Sequence, residues 1–122
     1  MDNEITVKEL KDKVRKFCEA RDWDQFHNPK DLAIGISTEA NELLDIFRFK
    51  SEEQMKIIME EEHKKTAVED ELADTLFFIL RFAQMNGIDL SEVLGKKMKK
   101  NGERYTVELA KGKNEKIVEK RN

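Results

Sequence analysis

Apolar positions recur at helical spacing along most of this chain. Val7, Leu10, Val14 and Phe17 follow one another at steps of three and four behind Thr6 and Glu9. Thr6 and Glu9 form a capping-box pattern, so a first helix is predicted, ending near Asp22. Residues 22–29 make an aromatic-rich connection holding Trp23, Phe26 and His27. Asn28 suits an N-cap and Pro29 the first helical position, which predicts a second helix running to about Lys50. Ser51 with Gln54 opens a shorter third helix that carries Met55, Ile58 and Met59. A fourth is expected from about Thr66 to Asn86, with Gly87 as its stop. A fifth begins near Asp89 or Ser91 and continues past Met98. No segment alternates as a strand would. The expected fold class is therefore all-α, a helical bundle of about five helices. Past about Tyr105 the chain turns polar with weak periodicity. That divides it into a bundle over 1–105 and a frayed or mobile polar tail over 106–122.

The fourth helix sets the architecture. Leu72, Leu76, Phe77, Ile79, Leu80 and Ala83 cover one side, and Val68, Phe78, Phe82 and Met85 the other. A helix apolar on nearly every face expects cover on nearly every face. It belongs at the centre of the bundle or at a subunit interface. A chain of 122 residues has much surface for its volume. A homo-oligomer assembled through this helix is the expectation, with two-fold symmetry.

Composition narrows the class. Hydrophobic residues make up 39% and charged residues 40%, enough for one core under a heavily charged surface. One Pro and five Gly leave long helices uninterrupted. The single cysteine, Cys18, has no internal disulfide partner and fits a reducing compartment, so the expected location is the cytoplasm. No apolar run approaches the roughly 18 residues of a membrane span, and no signal-peptide pattern is expected at the N-terminus. The net charge of −3 is unevenly spread: residues 95–122 carry ten Lys/Arg against four Glu. Such a stretch can clamp phosphates, bind nucleic acid or remain solvated. With negative charge overall and no recognition motif, nucleic acid is not an expected partner.

The candidate chemistry lies in carboxylates. On a helical wheel centred on Glu39, the residues Leu32, Gly35, Ile36, Glu42, Leu43 and Ile46 fall within about 60°. Around Glu71, the same arc holds Val68, Asp74, Phe78, Phe82 and Met85. Two acids spaced i,i+3 thus sit in the apolar stripe of each helix. An unpaired buried carboxylate costs several kcal/mol, and four on facing helices repel one another. Protonation, salt bridges or a cation can relieve this; the remaining alternative is that the acids lie on a solvated stripe edge. Arg48 and Arg81 fall near the stripe edges and can each pair with one acid, but two cations cannot neutralise four. All-oxygen ligands suit a hard ion such as Mg²⁺, Mn²⁺ or Ca²⁺. Other centres fit less well. A ferritin-like di-metal bundle needs two Glu-x-x-His motifs, and the chain offers Glu60 to His63 alone. One Cys and two His cannot close a zinc site. The run Gly95-Lys96-Lys97 lacks the rest of a phosphate loop.

Glu39-x-x-Glu42, 28 residues and then Glu71-x-x-Asp74 resembles the signature of MazG-type nucleotide pyrophosphohydrolases. Residues 21–32 are similar to the lead-in of the family's dCTP pyrophosphatase branch. So are Phe47-Arg48-Phe49-Lys50 and the ending Lys97-Met98, Asn101, Arg104-Tyr105. The likeness covers about residues 17–105. It implies a helical bundle assembled as a homodimer or a dimer-based homotetramer. It implies Mg²⁺, with Mn²⁺ as a substitute, at Glu39, Glu42, Glu71 and Asp74, which are also the catalytic set. The substrate implied is a nucleoside triphosphate cleaved between its α and β phosphates, dCTP or a modified dCTP above others. Trp23, Phe49 and Phe78 match positions that enclose the base, and Lys97, Asn101 and Arg104 match positions near the phosphates. His27, in the same lead-in, is counted with the substrate-binding set. Three positions depart from the pattern. Thr38 stands where many members carry Glu just before the first motif acid, Phe49 where the branch often has Trp, and Phe78 where it can have Tyr. The competing expectation is a non-catalytic helical interaction module with solvated acids.

Overall fold

The computed structural model describes residues 1–117. All of its regular structure is helical among those residues, as the spacing predicts. Helix α1 (Val7–Ala20) starts at Thr6 with both bonds of the capping box formed. A 3-10 turn (Asp24–Phe26) leads to α2 (Pro29–Phe47), where Asn28 Oδ1 accepts from the Asp31 amide at 2.8 Å. Ser51 and Gln54 cap α3 (Glu52–Glu60) reciprocally. Each cap satisfies amides that a helix start otherwise leaves without partners.

Helix α4 (Glu62–Met85) begins four residues earlier than its apolar pattern suggests. The carboxylate of Glu61 accepts from the amides of His63 and Lys64 and stabilises a polar first turn. Apolar periodicity does not see that turn because nothing in it is buried. At the far end Gly87 takes a left-handed φ of 63° and stops the helix. Helix α5 (Leu90–Arg104) starts at Asp89, and a four-residue α6 (Val107–Ala110) follows, capped by Thr106. The stretch expected as a frayed helix or tail thus contains one short helical turn, and its residues 118–122 lie outside the described part.

The chain forms two compact units, the first Met1–Gly87 and the second from Ile88 onward. In the first, α1, α2 and α3 each pack on α4. Its buried apolar side chains are Cys18, Leu32, Ile58, Val68, Leu80 and Ala83. A buried Leu contributes about 1.5–3 kcal/mol. Glu42 of α2 lies beside Glu71 of α4, and Gly35 beside Phe78. Those pairs run in opposite order along the two helices, so α2 and α4 are antiparallel.

The fourth helix is central, but one chain does not cover it on every face. Leu72 and Leu76, one turn apart, are 52% and 45% exposed. In the second unit the Tyr105 hydroxyl accepts from the Ile117 amide at 3.0 Å, which folds the chain back towards the end of α5. Among the described residues no helix is long and apolar enough to cross a membrane.

Candidate metal centre and aromatic row

The antiparallel pairing of α2 and α4 brings three of the four motif acids together. Carboxylate oxygens of Glu39, Glu42 and Glu71 lie within 4.8 Å of one another. Glu39 and Glu71 are half-buried and Glu42 is exposed. Asp74, one turn beyond Glu71, is exposed and stands outside this close group. It is still near enough for its charge to help raise the Glu39 pKa.

The electrostatics are those of carboxyl groups crowded together and shielded from water. Glu39 Oε2 and Glu71 Oε2 are shut off from solvent, with no hydrogen-bond partner among the described residues. Desolvation, and then the neighbouring carboxyls of Glu42 and Glu39, push Glu71 up to about 7. Burial first, and then Glu42, also raise Glu39 above the ordinary carboxylate range. The two arginines near the stripe edges are engaged elsewhere. Arg48 pairs with Asp45 at 3.4 Å, and Arg81 pairs with Asp24. The donor set fits a hard divalent cation: three carboxyl groups, oxygen ligands only, with shielded lone pairs facing no donor among the described residues.

An aromatic row approaches the acids from the other end of the unit. Trp23 meets Phe17 edge-on at 5.6 Å between ring centres, Phe17 meets Phe77 at 5.8 Å, and Phe77 meets Phe78 at 5.5 Å. The Arg21 guanidinium lies over the Phe17 ring at 3.6 Å. Phe78 packs on Gly35, whose missing side chain makes the room. Gly35 is four residues before Glu39, and Phe78 four residues after Asp74. Side chains four apart share a helix face and lie about 6 Å apart along the axis. The row thus ends one turn from the carboxylates. Of the aromatic candidates, Trp23 stands at its head and Phe78 at its foot, both half-buried.

Phe49 stands apart from that row. It is 95% exposed and has a φ of 61°. Arg48 has extended torsions of −57° and 131°, and the Lys50 amide donates to the Phe47 carbonyl at 3.1 Å. This is a type II turn with a phenylalanine at the position that favours glycine. Such strain, of order 1–3 kcal/mol, concentrates at functional positions.

His27 is already engaged inside the fold. Its Nδ1 accepts from Arg81 Nε at 3.0 Å, and its ring meets Trp23 edge-on at 6.1 Å. Burial and the Arg81 charge hold its pKa down, so the ring is neutral and can accept.

The remaining candidates lie in the second unit. Lys97, Asn101 and Arg104 are spaced i, i+4, i+7 on α5 and share one helix face. Lys97 is exposed. Asn101 Oδ1 and Arg104 Nε are shut off from solvent, with no hydrogen-bond partner among the described residues. The Arg104 guanidinium lies 4.7 Å from the centre of the Tyr105 ring.

Sequence reasoning did not find Phe17 and Phe77 as links of the row, Gly35 as its seat, or Asp24 as the partner of Arg81. One available signal was an arginine in the long apolar stretch of α4, which cannot be buried without a partner.

Fold and site together define an all-α protein with a candidate hard-cation centre between two antiparallel helices. Comparison with known proteins narrows that class. The MazG-like family model matches residues 34–119, and the chain belongs to the MazG-like family. It is 30% identical over 109 residues to dCTP pyrophosphatase 1 of Rattus norvegicus, covering 89% of this chain and 64% of that protein. To dCTP pyrophosphatase 1 of Homo sapiens it is 28% identical over 116 residues, covering 95% and 68%. The chain thus spans about two thirds of the length of the curated relatives it matches. A crystal structure of a pyrophosphatase from Archaeoglobus fulgidus DSM 4304 superposes with a TM-score of 0.76 at 37% identity, covering 82% of this chain and 92% of that one.

Proposed function

We propose that this protein is a Mg²⁺-dependent nucleoside triphosphate pyrophosphohydrolase. It cleaves a deoxynucleoside triphosphate, dCTP or a modified dCTP foremost, to the monophosphate and pyrophosphate. The observation that carries the reading is the group of three carboxylates with two shielded, unpartnered oxygens. Such a group is costly in its ionised form unless a cation completes it; without one, Glu71 keeps its proton up to about pH 7. Relatives named dCTP pyrophosphatase 1 and a structural neighbour titled a pyrophosphatase support the reaction class.

Glu39, Glu42 and Glu71 would hold the cation, with Asp74 completing the set. A bound Mg²⁺ neutralises phosphate charge and makes the attacking water more acidic. With Thr38 in place of a further acid, the water would give its proton to one of the motif carboxylates or be activated by the cation alone. Lys97, Asn101 and Arg104 supply donors for phosphate oxygens from one face of α5. Trp23, Phe49 and Phe78 offer ring faces to the base, which stack without reading its edge. His27 assists by supporting Trp23.

The half-exposed Leu72 and Leu76 support a homodimer or dimer-based homotetramer. The buried free thiol of Cys18 is compatible with the cytoplasm. The bundle over 1–105 is the part to which the activity is assigned, with 106–122 as an appendage.

The test is a panel of canonical and modified triphosphates, with Mg²⁺, Mn²⁺ or a chelator, and products separated by chromatography. Monophosphate and pyrophosphate are expected with either metal and with dCTP-type substrates preferred. No turnover of any triphosphate would leave the interaction module. Diphosphate and orthophosphate would indicate a different hydrolase.

A further inference from the structure

Arg81 is the one charged side chain buried in the described core, at 1% exposure, on the central helix α4. A buried guanidinium carries a desolvation cost of several kcal/mol, and a well-packed apolar residue of similar volume is often as stable or more so. Its partners are therefore informative. Arg81 donates to the carboxylate of Asp24, to His27 Nδ1 at 3.0 Å and to Gln84 Oε1 at 2.6 Å. Gln84 is a neighbour on the same helix. The other two belong to the connection between α1 and α2, one residue and four residues after Trp23. This irregular segment buries no residue of its own 3-10 turn. The Arg81 fork reaches it at two points from the rigid core helix.

We infer that Arg81 is a positioning residue. It tethers the connection to α4 through Asp24 and His27, and so fixes Trp23 at the head of the aromatic row where the base is received. This rests on the reading of Trp23 as a base-binding residue. A planar fork with several donors suits two unlike acceptors at once, which an ammonium on a flexible stem does not. Without the fork, Asp24, already half-exposed, returns to water. Trp23 then keeps its contact with Phe17 but loses its fixed orientation. Binding should suffer more than the chemical step, because the acids on α2 and α4 are untouched.

The chain has a single tryptophan, so its fluorescence reports Trp23 alone. The experiment compares wild type, Arg81→Met, Asp24→Ala, Trp23→Ala and the Arg81→Met/Trp23→Ala double variant in the full chain. In Arg81→Met with unchanged helicity, Trp23 emission should shift to the red and acrylamide quenching should rise. KM for the preferred triphosphate should rise about tenfold, with kcat within about twofold, the pattern of lost uniform binding. Arg81→Lys should not rescue KM. The double variant should have the KM of Trp23→Ala alone, because the two changes act through one side chain. If Arg81→Met fails to fold, Asp24→Ala, which cuts the tether at its exposed end, must show the same signature to a smaller degree. Unchanged emission and quenching in a folded variant would overturn the inference. So would altered emission with unchanged KM while Trp23→Ala raises KM. A KM unaffected by Trp23→Ala itself would instead remove the base-binding reading, and with it this role of Arg81.

Discussion

The Phe78 ring occupies the space that any side chain on Gly35 would need. A Cβ placed on Gly35 would lie 2.7 Å from Phe78 Cδ1 and 2.9 Å from Cγ. The close atoms include the base of a ring, not the tip of a flexible chain, so the ring or the helix must move. Gly35 lies one turn from Glu39, and Phe78 one turn from Asp74. The spacing of α2 and α4 at the acids is therefore set partly by the absence of a methyl group.

Gly35→Ala tests that link. Alanine improves helix propensity by about 1 kcal/mol, while overpacking of this kind costs about 1–3 kcal/mol. The net change in stability is expected to be a loss of at most about 2 kcal/mol. Activity should fall further than stability accounts for, because the carboxylates are displaced with the helices. Thermal melts alongside kcat/KM measure both. Wild-type turnover in Gly35→Ala would show that the acids tolerate a wider spacing.

Removal of a single acid should separate metal binding from folding. Glu42 raises the pKa of both Glu39 and Glu71, so its charge burdens the metal-free fold. Glu42→Ala should abolish Mg²⁺-dependent turnover, leave helicity intact and leave the metal-free melting temperature equal or higher. Asp74→Ala should also abolish turnover, with a smaller change in Mg²⁺ affinity because Asp74 stands outside the close group. Calorimetric Mg²⁺ titration and melts in chelator give both quantities. Full activity in either variant would remove the metal assignment.

How much of this was legible in the sequence depends on the physics involved. Helix starts were legible because Thr6, Asn28 and Ser51 carry their own chemistry, and the caps formed where those residues stand. The start of α4 was misplaced because Glu61 caps through its carboxylate, ahead of any apolar period. That Glu39, Glu42 and Glu71 lie in apolar arcs was legible from helical spacing. Helices α1 and α3 also pack on α4, so the meeting of the three acids depends on how α2 packs, which leaves Asp74 outside. Arg81 was read at the edge of the same stripe, yet its partners proved to be Asp24 and His27. Those residues lie 57 and 54 positions away in an irregular segment, where no periodicity predicts proximity. The aromatic row was missed for a similar reason: Phe17, Trp23 and Phe77 come from three elements. Leu72 and Leu76 were expected to be covered, and a single chain leaves them half-exposed.

Metal-free stability should fall as pH rises. Glu71 titrates at about 7 in the fold against an ordinary value of 4.5. Between those values the folded state holds a proton that the unfolded chain has released. The stabilisation from this group is complete below pH 4.5 and is lost as pH rises through about 7. Mg²⁺ must displace that proton, so its affinity should rise over the same window. Melting temperatures from pH 5 to 8, in chelator and in Mg²⁺, should diverge as pH increases. Glu71→Gln should flatten the metal-free curve. A metal-free melting temperature that rises across this window would contradict the assignment of Glu71 as a proton-holding member of the cluster.

Phe49→Gly should divide stability from function. At 95% exposure the Phe49 side chain buries almost nothing, so its removal sacrifices little packing. Its φ of 61° is disfavoured for a bulky residue and open to glycine. Relief of that strain is offset by the greater freedom glycine brings to the unfolded chain. A net gain of about 0.5–1 kcal/mol is expected, read as a rise of a few degrees in melting temperature. If the ring contributes a face to the base, KM for the triphosphate should rise by about fivefold to twentyfold while kcat changes little, since a stacking contact is worth about 1–3 kcal/mol at most. Phe49→Trp should keep the turn strained and restore or tighten binding, because the larger ring offers more face. Phe49→Ala separates the two effects, since alanine keeps the unfavourable φ and loses the ring. If Phe49→Gly gains stability with KM unchanged, the strained turn serves something other than the nucleotide.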